Sequence, residues 1–193
     1  LTKNYNSNVA SEWIDLYMFI EKDLGAGFRP ATTSRALAYI WLAAYETGVP
    51  GMPDFKSTEG TTNFAGLNVP DAPSDIENYD WAIAVNSALY VTTNHFMWNA
   101  DTQQRGLMKD LETTLNDNLS KNVSQTVFSK SQEWGKKVAE AVIAYAATDV
   151  EGENQIKDAF PDSYTPPVGE GKFFLTPPFE KCLSPYFGKV RTF

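Results

Sequence analysis

Residues 34–48, SRALAYIWLAAYETG, form the segment on which the fold turns. Leu37, Ile40, Trp41, Ala44 and Tyr45 recur at the spacing that puts side chains on one face of an α-helix. The positions between them are also mostly apolar, so the segment is predicted to be a central helix, covered by others on nearly every side. It starts after the Thr32-Thr33 pair and stops at Gly48, with Pro50 beyond, the usual order of helix-ending signals. The longest apolar run, around Ala36–Tyr45, is far shorter than the ~20 residues a bilayer-spanning helix needs.

Outward from this helix the same periodicity repeats. Upstream, Val9, Trp13, Leu16, Tyr17, Ile20 and Leu24 align on one face, and Gly25 and Gly27 end the pattern before Arg29-Pro30. Downstream, Val49 to Ser74 is rich in Gly, Pro, Asp, Asn and Thr and is predicted to be a long surface connection. A third helix is expected to open with a capping box at Ser74-Asp75-Ile76-Glu77 and to bury Ile76, Trp81, Ala84, Ala88, Leu89 and Phe96, ending near Asn99. A fourth, capped by Asp101, carries Leu107, Leu111 and Leu115 to about Asn122. A fifth, capped by Ser124, aligns Val127, Phe128, Trp134, Val138, Val142 and Tyr145 and stops near Thr148.

After Asp149 prolines 161, 166, 167, 177, 178 and 185 exclude a long helix. Phe173, Phe174, Phe179, Tyr186, Phe187 and Phe193 are costly to leave in water, so this extended tail is expected to wrap the bundle or to dock on a missing partner segment. The chain is therefore read as all-α, an antiparallel helix bundle over 1–150 with a long loop, followed by an extended Pro- and aromatic-rich tail over 151–193. Trp13, Leu37, Ile40, Trp41, Trp81 and Trp134 are expected to share one core.

Sixteen basic against twenty-four acidic side chains give a net charge of −8, which opposes nucleic-acid binding, and no basic run alternates with aromatics. One cysteine, Cys182, closes no intramolecular disulfide and, with one histidine, builds no zinc site. It is read as a small apolar side chain in a turn. His95 is read as a helix-end or core residue. Glu12 with Asp15, and Asp110 with Glu112, have the spacing of any solvated helix face. Serine nucleophile chemistry lacks both its elbow motif and a triad context. Lys22, Arg29 and Ser34-Arg35 place three cations and a hydroxyl around the first turn of helix two, where backbone N–H groups favour anions; the simpler reading pairs these cations with acids such as Glu46.

The run FRPATTSRALAYIWLAAYETGVPGMP, with the opening NVASEWIDLY and the ending LTPPFEKCLSPYFGKVRTF, resembles the N-terminal half of bacterial PAP2 superfamily proteins, the vanadium-dependent haloperoxidases and related acid phosphatases. The likeness is strongest over residues 8–53 and 173–193. It implies a parent enzyme that hydrolyses a phosphoester through a histidine nucleophile without metal, or that oxidises halide with bound vanadate. The family's site is written K-x6-R-P, P-S-G-H and S-R-x5-H, cations to hold the transferring group, one histidine to attack and another to donate a proton.

Lys22 precedes Arg29-Pro30 at the family's interval, and Ser34-Arg35 precedes position 41, but Trp41 stands where the proton-handling histidine belongs. P-S-G-H is absent, and one histidine cannot do the work of two. The resemblance thus implies a non-catalytic helical portion, without catalytic, cofactor-binding or metal residues of its own, whose partner is a downstream catalytic half; vanadate belongs to the complete site. An upstream segment removed before Leu1 would fit an extracytoplasmic or periplasmic protein. The alternative is a stand-alone, non-enzymatic helical binding module.

The isolated chain is expected to show no turnover of p-nitrophenyl phosphate and no haloperoxidase activity with vanadate. Turnover that vanishes in His95→Ala would contradict this reading.

Overall fold

The computed structural model describes residues 2–24 and 30–192. Among the described residues the regular structure is all helical: α1 (Asn8–Glu21), α2 (Pro30–Gly48), α3 (Trp81–Phe96), α4 (Thr102–Leu119), α5 (Gln125–Ala147) and α6 (Val150–Lys157). These pack against one another as a helix bundle. Helix α3 meets α1, α2, α4 and α5, so the centre belongs to α3 more than to α2, which meets α3, α5 and α6.

Local chemistry explains most boundaries. Pro30 opens α2 one turn before the expected start, as a proline can where the first-turn N–H has no helical partner. Gly25, Gly27 and Arg29 lie outside the described residues. The capping box expected at Ser74–Glu77 does not start α3; Ile76–Asn78 makes only a 3-10 turn. Tyr79 is extended, and Asp80 caps α3 instead by accepting the Ile83 amide at 3.0 Å. Ser131 of α5 accepts the Asp80 N–H at 2.8 Å, so a tertiary contact selects the cap. Asp101 and Gln104 exchange hydrogen bonds at the start of α4, and Ser124 caps α5.

Two polar devices tie the helices. The Trp13 indole N–H donates to Asn86 Oδ1 at 2.7 Å, and Asn86 Nδ2 donates to the Glu112 carbonyl and to Asn116 Oδ1, each at 3.0 Å. Every hydrogen-bonding group of the Asn86 amide thus finds a partner, and α1, α3 and α4 are fixed in register. Across the bundle, Trp134 Nε1 donates to the Thr47 carbonyl at 2.9 Å, tying α5 to the end of α2. Gly135 allows α5 to lie backbone against backbone on α3: a Cβ there would stand 1.9 Å from the Ala84 carbonyl oxygen.

The expected single core is divided. Trp13 and Ile40 belong to the main apolar cluster, with Leu37 and Trp41 packed on its margin, whereas Trp81 and Trp134 form a second cluster with Ala84 and Val138. The close approach of Gly135 to the Ala84 backbone lies within this second cluster. Glu112 is also buried rather than solvated and pairs with Lys109 Nζ at 2.6 Å, while Glu12, Asp15 and Asp110 are exposed.

The long connection is ordered by Glu46 of α2. Its carboxylate accepts from Ser57 Oγ at 2.7 Å and from the Thr58 amide and hydroxyl at 2.8 and 2.7 Å. Leu67 then plugs the loop into the main core.

Trp13→Ala is expected to cost about 3–5 kcal/mol, because it opens a cavity and strands Asn86, whereas the half-buried Trp41→Ala should cost clearly less. Urea unfolding of both variants checks the order; equal losses would place Trp41 in the core.

Candidate functional site

The structure gives Lys22 and Arg35 different partners. Lys22 caps α1 at the surface, its Nζ 4.3 Å from the centre of the Phe19 ring. Arg29 lies outside the described residues. Arg35 is 4% exposed and pairs with Asp149, not with Glu46, which is committed to the long loop. Lys22, Arg35 and the exposed Ser34 therefore do not show a shared anion pocket, and pairing with Glu46 is corrected to pairing with Asp149.

Asp149 is the residue around which the best-defined constellation is built. It ends α5 and caps α6, accepting the Gly152 amide at 3.2 Å. Its Oδ2 accepts from Arg35 and from the Arg191 amide, the latter at 3.0 Å. Arg35 also donates to Tyr39 Oη at 2.7 Å and to the Arg191 carbonyl at 2.8 Å. Arg191 in turn donates to the Tyr145 carbonyl at 3.1 Å and to the Thr148 hydroxyl.

Each guanidinium lies near a tyrosine ring, Arg35 at 5.0 Å from Tyr39 and Arg191 at 4.0 Å from Tyr145. Burial raises the Tyr39 phenol above its ordinary value, against the opposing pull of Arg35 and Arg191, so it remains a neutral hydrogen-bonding group. Gly152 leaves room for this cluster: a Cβ there would lie 2.3 Å from Arg35 Nε. Beside it, Arg35 and Ser34 of α2 and Phe187, Val190 and Arg191 of the tail line a cavity of about 600 Å³. The arginines are spent on Asp149, main-chain carbonyls and hydroxyls, so the arrangement acts as a latch between tail and bundle.

Helix α6 lies within the segment read as an extended tail. Asp149 followed by acidic residues is a helix-start signal, which Gly152 and the nearby prolines mask. Arg191 was equally unmarked in the sequence, since nothing local tells that it returns to α5.

His95 lies in the last turn of α3, its Nε2 3.6 Å from Oε1 of the buried Glu153 on α6, and its ring meets Phe96 edge-on. Pairing with His95 holds the Glu153 carboxyl below its ordinary value, against burial that would raise it. This is a helix-to-helix contact, with Lys157 on the other carboxylate oxygen at 3.4 Å. Among the described residues no cluster of three or more His, Cys, Asp or Glu is placed to hold a metal, and no helix is long and apolar enough to cross a membrane.

The tail divides into two parts. Its end is tied down through Arg191 and through the Ser184 amide, which donates to the Ala159 carbonyl at 2.6 Å. Before that point Phe173, Phe174, Phe179 and Leu183 are 63, 76, 67 and 47% exposed. Phe173, Phe179, Leu183, Phe160 and the partly buried Cys182 line an apolar cavity of about 490 Å³. The end of the tail is thus held against the rest of the chain while the stretch before it stays exposed, and Phe193 lies outside the described residues.

No family model, curated protein or solved structure matches this chain.

Asp149→Asn is expected to lower stability by about 3–5 kcal/mol in urea unfolding, since it leaves the buried Arg35 charge without its counter-ion. An unchanged midpoint would mean that water already neutralises Arg35.

Proposed function

We propose that this chain is the non-catalytic, helical N-terminal portion of a PAP2-type phosphatase or vanadium haloperoxidase-like enzyme, and that its role is to pack against the half that carries the chemistry. The observation that carries this reading is the apolar stretch around Phe173, Phe174, Phe179 and Leu183, exposed between two anchored parts of the chain. Large contiguous apolar surface is a mark of an interaction site. The PAP2 identity of the partner comes from the quoted sequence segments, and the single histidine explains why this portion would need one.

In this role the latch at Asp149 has a purpose. It ties Arg191 to the bundle, so a partner following in the same polypeptide would start from a fixed point. The catalytic half would supply the histidine nucleophile, the proton donor and the phosphate or vanadate pocket; this half would supply apolar surface and rigidity.

The native gene product is expected to exceed 21.5 kDa, the mass of this chain, and to contain P-S-G-H and S-R-x5-H downstream. With that downstream half expressed separately, the Phe173→Ser/Phe179→Ser double variant should weaken association at least about tenfold, as burial of two rings implies, while leaving the isolated chain's melting midpoint unchanged. A native product without the downstream motifs would overturn the reading.

A further inference from the structure

Three helices meet around a second apolar cavity, of about 330 Å³, on the side of α2 away from the Asp149 latch. Its walls come from the approach to α1 (Tyr5, Val9, Ala10), from the C-terminal half of α2 (Trp41, Ala44, Tyr45, Gly48), and from the first turns of α3 (Trp81, Ala82, Val85). The hollow follows from the sequence. Ala10, Ala44, Gly48 and Ala82 put the smallest side chains on all three helices at the junction, where larger ones would close the gap that protein interiors normally fill.

The chemistry of the wall limits the occupant. Among the described residues its wall includes no charged side chain, so an ion would lose its hydration without compensation from them. Aromatic rings dominate it, offering flat apolar faces. A hydrogen-bond donor is also present. Trp13, Trp98 and Trp134 each donate the indole N–H to a described acceptor, whereas Trp41 and Trp81, both on the wall of this cavity, donate to no described group; Trp81 is buried with its Nε1 against Gly51, which leaves the half-buried Trp41 as the donor open to an occupant. An apolar cavity of about 150 Å³ already takes up benzene, so this one has room for a ring with a short substituent.

We infer that this cavity is a binding site for a small, uncharged organic molecule with one aromatic ring and one hydrogen-bond acceptor, the acceptor paired with Trp41 Nε1. This assignment is independent of the proposed PAP2 relationship and of the tail.

The test uses the full chain with ¹⁵N-labelled tryptophan and acetophenone, which has one ring and one carbonyl, as the probe. Acetophenone should shift the Trp41 indole resonance, assigned from its loss in Trp41→Phe, and saturate below about 1 mM. Benzoate at neutral pH, equal in size but charged, should bind at least about tenfold more weakly. Trp41→Phe keeps a ring and removes the donor, so it should weaken acetophenone while leaving ethylbenzene, followed by the other indole resonances, little changed. Ala44→Leu and Ala82→Leu each fill the cavity from a different helix and should abolish binding without loss of the native spectrum; if one does not fold, the other decides. Absence of a saturable shift in the unsubstituted chain would overturn the inference. So would benzoate binding as tightly as acetophenone, or acetophenone binding unchanged in a folded cavity-filling variant.

Discussion

One carboxylate, that of Asp149, holds three parts of the chain to each other. It neutralises Arg35 of α2, caps α6 and receives the amide of Arg191 near the far end of the tail. A guanidinium buried to 4% exposure is tolerable only with a counter-ion, so the position of α2 and that of the tail become conditions of the same electrostatic balance. Gly152 belongs to this constraint, since a side chain at that position would collide with both members of the ion pair. The local order of the C-terminal region thus depends on a contact between residues far apart in sequence.

The rest of the bundle is organised by close approach at α3. Gly135 brings α5 onto the Ala84 backbone, and Asn86 gathers Trp13, Glu112 and Asn116 without leaving its amide unsatisfied. These two contacts on different faces of one helix explain why the tryptophans are divided between two clusters. The junction of α1, α2 and α3 stays underfilled, because each of these helices presents an alanine or a glycine there beside its larger side chains.

Helix number and type up to Thr148 were legible because periodicity and caps such as Asp101 and Ser124 are local signals. The start of α3 was not: Ser74–Glu77 has the letters of a capping box, but Ser131, distant in sequence, selects Asp80. Helix α6 is hard to read from the sequence because eight residues containing a glycine carry too little periodicity. The site was less legible still. Lys22, Arg29 and Arg35 attract attention by spacing, yet the structure commits Arg35 to Asp149, and Arg191 offers no pattern that points to α5. Burial decides what a charge does, and burial is a property of the tertiary fold.

Asp149 fastens the tail to the bundle. Amide hydrogen exchange at Arg191 tests it directly, in the unsubstituted chain and in Asp149→Asn. The Arg191 amide is expected to be protected to the same degree as the amides of α6, and Asp149→Asn to remove this protection while the amides of α3 remain slow. An Arg191 amide that exchanges at the unprotected rate in the unsubstituted chain would contradict it.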